Sequence, residues 1–162
     1  VSQMMIERFS RELWAYMRPR RGLTETYPQR VHEGPKVVLI NQLAGSDGDI
    51  FPQSFKLKKL GPTIGMRTWG GVIGIRADKP FVDGGLSTQP EYAWWTPGDN
   101  WPLENRGVEP DIVVDYRPED YIAGRDPQLD RGIAELEKML QEHPIVAPKP
   151  PPFPDKSGKG QK

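Results

Sequence analysis

The sequence predicts a single α/β domain, and three features point to it. Residues 37–59 run from an apolar stretch (Val37, Val38, Leu39, Ile40) through the polar pair Asn41 and Gln42 and a glycine-flanked serine into a helical stretch over about 47–59. That order is strand, tight turn, helix. Amphipathic helical patterns open and close the chain, with short apolar runs bounded by glycine and proline between them. A length of 162 residues suits one domain. The 18 prolines and 17 glycines assign much of it to turns and loops, and 36% hydrophobic residues is a low share for this length.

Element by element, Met5, Phe9, Leu13 and Met17 recur at spacing four, with Glu7, Arg8, Arg11 and Glu12 between them. This predicts an amphipathic helix ended near Pro19. Residues 18–35 are basic and polar, hold Gly22, Pro28, Gly34 and Pro35, and read as a loop. Residues 36–41 form a buried strand, and Gly61 and Pro62 stop the helix that comes after it. Residues 63–67 are a short strand and 68–74 a glycine-rich loop. The segments 75–80, 81–86 and 91–95 read as short strands or hairpin arms, 97–100 as a turn and 101–107 as extended, and 108–114 ends the sheet. Asp126 and Pro127 read as N-cap and first helical position, and Leu129, Ile133, Leu136 and Leu140 line one face of the last helix. From Pro144 the chain is rich in proline and lysine and is expected to be disordered, which leaves 1–143 as the folded unit and 144–162 as a tail. No internal repeat is present.

Composition excludes several functions. The 22 basic and 22 acidic residues cancel, so nothing argues for nucleic acid or an anionic membrane as a partner. The absence of cysteine rules out a disulfide, a thiol nucleophile and a cysteine metal site. No apolar run approaches the roughly 20 residues of a membrane span, and no signal peptide is read. The chain opens on Val1, without Met, in the start of a helix. It is therefore expected to be a fragment of a longer protein, with apolar surface left bare by the cut and a tendency to aggregate when free.

Ser46 is the first candidate for chemistry. A serine at the tip of a strand–turn–helix unit is lifted out of the sheet, and the first amides of the helix are donors without intrahelical acceptors. Such donors can stabilise an oxyanion. The run Gly45-Ser46-Asp47-Gly48 is not the hydrolase G-x-S-x-G pattern, and it reads equally as a turn with a helix N-cap. A nucleophilic serine also needs a base. Only two histidines exist. His32 precedes the strand that leads to Ser46; at about 3.3 Å per residue the two lie on the order of 20 Å apart. His143 ends the last helix. Both read as surface residues. Carboxy-terminal processing peptidases use a Ser–Lys pair, with the lysine in a T-x-G-K-G run; here the matching place reads Arg67-Thr68-Trp69-Gly70-Gly71, with Gly71 at the lysine position.

Other readings of the turn are weaker. A helix N-terminus attracts anions, but Asp47 and Asp49 occupy the first turn and it contains no lysine, which disfavours a phosphate cradle. The same two aspartates lack a third metal ligand, so no metal is assigned, and no cofactor either. Glu104 lies in an ordinary polar loop, Leu103-Glu104-Asn105-Arg106-Gly107. Tyr92, Trp94, Trp95 and Trp101 could bind a peptide side chain, but packing is the commoner use of such residues.

Several blocks together carry a family resemblance. N-Q-x-A-G-S-D-G-D-I-F, G-x-R-T-W-G-G-V-x-G-I, V-D-G-G and E-N-x-G-V-E-P-D, with the opening V-S-Q and the segment V-H-x-G-P, resemble the C-terminal catalytic domain of tricorn-type serine peptidases over roughly residues 1–142. The resemblance implies an α/β fold of the ClpP/crotonase-like kind, a spiral of stacked β-β-α turns. It implies Ser46 as nucleophile, the backbone amide of Asp47 as one oxyanion-hole donor, and Glu104 as the glutamate of a Ser–His–Ser–Glu tetrad. It implies peptide substrates, homo-oligomeric assembly and a cytoplasmic location.

The departures matter as much. The family's histidine, its second serine and the loop giving the second oxyanion amide all lie upstream of Val1. Its acidic residue favouring basic P1 side chains corresponds to residues 16–21, which hold no acid. The expectation is a serine endopeptidase segment, nearly inactive alone. Two alternatives remain: a catalytically silent peptide-binding or oligomerisation module of the same fold, and an acyl-CoA enzyme of the crotonase type, for which no CoA-binding feature is seen.

Overall fold

The computed structural model describes residues 2–157. Its central sheet has three parallel strands, Val38–Ile40 (β3), Thr63–Gly65 (β4) and Ile112–Val113 (β7), paired in that order. Register pairs Val38 with Thr63 and Ile40 with Gly65, then Ile64 with Ile112. Parallel neighbours need a crossover, and the helix Asp47–Leu57 (α2) supplies it between β3 and β4. Before the sheet come helix α1 (Ser2–Phe9) and an antiparallel hairpin of β1 (Ala15–Met17) and β2 (Glu25–Tyr27). Between β4 and β7 lies a second hairpin, β5 (Gly74–Arg76) with β6 (Gln89–Tyr92). Helices α3 (Pro118–Ala123) and α4 (Pro127–Glu142) come after the sheet.

The core explains where the site sits. Ile40, Val72, Leu103 and Val108 form one buried cluster, with Val38, Ile50 and Trp94 packed against it. Ile40 ends the strand before the elbow, Val72 comes directly after Gly71, and Leu103 precedes Glu104. The apolar contacts that hold the domain together thus fix three converging loops. Phe55 and Ile64 are also buried, and α1 leans on α2 through Phe9 against Phe51 at 6.5 Å and Phe51 against Phe55 at 6.1 Å. Between β4 and β7, Asp111 Oδ2 accepts from both the amide (2.8 Å) and the hydroxyl (2.9 Å) of Thr63, and Lys56 Nζ lies 2.8 Å from its other oxygen. The core is small for the length: the chain exposes 12539 Å², against about 8,000 Å² for a compact monomer of this size.

Several sequence expectations need correction. The opening helix stops at Phe9, and the loop expected over 18–35 contains β2. Here Trp14 packs edge-on against Tyr27 at 4.7 Å; aromatic and β-branched side chains favour a pleated pair, so the spacing of Leu13 and Met17 is not helical in origin. Residues 81–86 form a turn rather than a strand. Gly84 has φ 83°, its amide bonds Phe81 O, and Asp83 Oδ1 accepts the Gly85 amide at 2.9 Å. The last helix begins as expected, with Asp126 Oδ1 accepting the Leu129 amide. It presents a different face to the sheet: Gln128 and Gly132 are buried, whereas Leu129 and Ile133 remain 47% exposed. Gly132 lies against Leu39 and Val37, and the lack of a side chain there is what admits the helix. Helix α3 has no counterpart among the elements expected from sequence.

From Pro144 to Ser157 no helix or strand forms. Arg18 donates to the Pro151 carbonyl at 2.6 Å and lies over the Phe153 ring at 4.2 Å. Val1 and residues 158–162 of the expected tail fall outside the described residues.

Candidate active site

The elbow has an unusual backbone. Ser46 stands at φ 55° and ψ −113°, a region that side chains rarely adopt and that a strand-to-helix turn imposes at its tip. Its carbonyl accepts the amides of Asp49 (2.9 Å) and Ile50 (3.0 Å), which starts α2. Its hydroxyl makes no capping bond, so the N-cap reading of this serine is corrected: Ser46 holds the cap position by its backbone alone. The side chain is exposed.

The glycine-rich loop after β4 is sewn to the elbow. Trp69 N donates to Ala44 O at 2.8 Å and Ser46 N to Gly71 O at 2.9 Å. Its far side is sewn to the loop carrying Glu104: Asn105 N reaches Gly70 O at 2.8 Å, and buried Thr68 accepts the Val108 amide on its hydroxyl at 2.7 Å. Glu104 Oε2 then accepts two successive amides, Val72 at 2.8 Å and Ile73 at 2.9 Å. One carboxylate oxygen is thereby aimed by the backbone next to the elbow. Ser46, Trp69, Ile73, Ile75, Tyr92 and Glu104 all line one groove of about 450 Å³.

The remaining candidates separate clearly. His32 is exposed, with Nε2 3.4 Å from Pro35 O, and neither it nor His143 lines the groove. A Cβ at Gly71 would lie 2.4 Å from the Trp69 ring, so the lysine of a Ser–Lys pair could enter this loop only with a shift of that ring, which is 67% exposed. Asp47 opens α2 directly after Ser46, and its carboxylate takes the Ser2 hydroxyl at 2.7 Å. That bond is the main reason its pKa lies below the usual carboxylate value; slight burial opposes it and the Ser2 amide adds to it. Asp49 points the other way, fully buried, with Oδ1 on the Gly70 amide at 2.9 Å. Among the described residues no three acidic or histidine side chains gather to hold a metal. Of the aromatic group, Trp94 packs on the core while Tyr92, Trp95 and Trp101 are exposed.

Sequence reasoning missed the loop's anchors, Thr68, Asn105 and Asp49. The available signal for Asp49 was an acidic residue at the third helical position facing a glycine run, a pattern that sequence reasoning weighed only for metal or phosphate binding.

Ser46 and Glu104 thus line one groove, the first at a strand-to-helix turn and the second on the loop beside it. The chain belongs to peptidase family S41, which it matches over residues 5–114. Within that family it is tricorn-like. It is 46% identical to Tricorn protease of Thermoplasma volcanium over 149 residues, 92% of this chain and 14% of that one. It is 46% identical to Tricorn protease homolog 1 of Streptomyces coelicolor over 147 residues, 91% of this chain and 14% of the relative. A solved tricorn protease superposes with TM-score 0.81 at 45% identity, over 86% of this chain and 14% of that structure. The chain therefore spans about 14% of the length of these relatives.

Proposed function

We propose that this chain is the nucleophile-bearing segment of a tricorn-like serine endopeptidase, acting within a longer polypeptide in the cytoplasm. The observation that carries the reading is Ser46: its strained backbone and uncapped hydroxyl share a groove with a glutamate held by two amides. The spiral of stacked β-β-α turns is the fold reading that accompanies it. In this mechanism Ser46 Oγ attacks the peptide carbonyl and forms a C–O bond. A histidine from outside this chain takes the hydroxyl proton and returns it to the leaving amine as the C–N bond breaks. Water then hydrolyses the acyl-enzyme. The Asp47 amide is one donor to the oxyanion, an interaction worth about 3 kcal/mol in the transition state. Glu104 acts through a second serine, also contributed from outside, that orients the histidine.

A second reading keeps the fold and drops the chemistry: a peptide-holding or assembly module. What favours it is the exposed area, well above that of a compact monomer, which fits a surface covered by further polypeptide or by a second copy. Labelling with a fluorophosphonate, on this chain and on the longer polypeptide, each with Ser46→Ala as control, separates the two. Labelling of the longer protein at Ser46, with little on this chain, supports the peptidase. Labelling of neither supports the module.

A further inference from the structure

We propose that Asp49 is a positioning residue: by holding the Gly70 amide it sets the backbone of residues 70–73 between Ser46 and Glu104. The proposal rests on the peptidase reading for its catalytic consequence and on geometry alone for the positioning itself. Asp49 is 0% exposed, and its Oδ1 accepts the Gly70 amide at 2.9 Å. Its Oδ2 is buried with no hydrogen-bond partner among the described residues. A buried carboxylate satisfied at one oxygen only is costly. An apolar residue would fill the same space in α2 without that cost, so the acceptor is what the position requires.

Gly70 and the three residues after it explain why. The Gly70 carbonyl takes the Asn105 amide and the Gly71 carbonyl takes the Ser46 amide. The Val72 and Ile73 amides hold Glu104. Glycines have no side chains with which to anchor a loop, so a grip on this one must come through backbone groups. Asp49, three residues after the nucleophile in the helix that the elbow starts, ties that loop to the elbow. Movement at Gly70 displaces the Ser46 backbone contact and the Glu104 cradle together, and misplacement by about 1 Å costs on the order of a hundredfold in rate.

The test compares Asp49→Ala, Asp49→Asn and Asp49→Glu in the longer polypeptide, reading the second-order rate of fluorophosphonate labelling at Ser46 alongside the melting midpoint. The expected result is at least about a tenfold loss in the Ala variant and rescue to within about threefold by Asn, which keeps an acceptor oxygen at the same distance. Labelling of Asp49→Ala at the wild-type rate overturns the proposal, as does an Asn variant as slow as Ala while both are folded. If the Ala variant does not fold, the Asn and Glu pair decides. Glu, one methylene longer, must label more slowly than Asn, and equal rates overturn the idea. A wild-type protein that fails to label at Ser46 refutes the peptidase reading instead. Amide exchange in this chain then decides the positioning role: faster exchange in the variant confined to Gly70, Val72 and Ile73 supports it, and uniform or unchanged exchange refutes it.

Discussion

The amide of Ser46 donates to the carbonyl of Gly71 at 2.9 Å, so the serine elbow and the glycine-rich loop move as one backbone. Because the two residues after Gly71 hold Glu104, the serine and the glutamate are coupled without touching through their side chains.

Ser46 carries a conformational cost for its place at the tip. A non-glycine residue at φ 55° and ψ −113° costs about 1–3 kcal/mol. Ser46→Gly is expected to raise stability by about 1 kcal/mol, after the extra chain entropy of glycine is offset. Ser46→Ala keeps the strain and shows no such gain. Both variants should lose phosphonate labelling in the longer polypeptide. Urea midpoints in which glycine is no more stable than alanine contradict the strain argument.

Glu104 is an acceptor before it is anything else. Glu104→Ala leaves the Val72 and Ile73 amides without their carboxylate. The expected loss is about 2–3 kcal/mol, since hydrogen bonds to charged groups are the stronger kind and Ile73 is partly solvated. Glu104→Gln retains an oxygen at the same distance and should lose about 1 kcal/mol. Equal midpoints for the two variants in chemical denaturation count against the cradle.

Acid should loosen the sheet. Burial alone pushes the Asp111 carboxyl up, but the Lys56 ammonium and the Thr63 amide and hydroxyl outweigh it and hold the pKa below its ordinary value. Asp47 is likewise held down, chiefly by the Ser2 hydroxyl. A folded-state pKa below the unfolded one gives stability that is present above the unfolded value, about 3.9, and lost as pH falls through the folded value. Melting midpoints should be level above about pH 5 and fall below about pH 4, with a shallower fall in Asp111→Asn. A midpoint that holds steady down to about pH 3 rejects this account.

Gly65 of β4 pairs with Ile40 of β3. At φ 128°, a Cβ there would lie 2.0 Å from the Ile40 carbonyl oxygen. Gly65→Ala should therefore cost about 3 kcal/mol or more and disturb the strand that delivers the elbow. Retention of a wild-type unfolding transition by circular dichroism contradicts the observed pairing.

Much of the fold is legible in the sequence. Periodicity locates the strand ending at Ile40, the helix after Ser46 and the start of the last helix, because apolar spacing and cap residues are local signals. The same rule fails at Leu13 and Met17. There the apolar spacing suggests a helix, whereas the Trp14 and Tyr27 rings pack across a hairpin. It fails again on α4, where the buried face is set by a glycine that admits the neighbouring strand.

The site divides in the same way. Residue types and their order were enough to single out Ser46 and Glu104 as candidates, since both lie in ordered blocks that are their own signature, and the fold places the two on one groove. The contacts that hold those side chains together emerge only in the folded chain: Thr68 on Val108, Asn105 on Gly70, Asp49 beneath the loop. Such contacts join residues between 21 and 40 positions apart, each through a backbone amide. Every residue type carries a carbonyl and all but proline an amide, so no pattern of side chains along the chain announces which of them will pair.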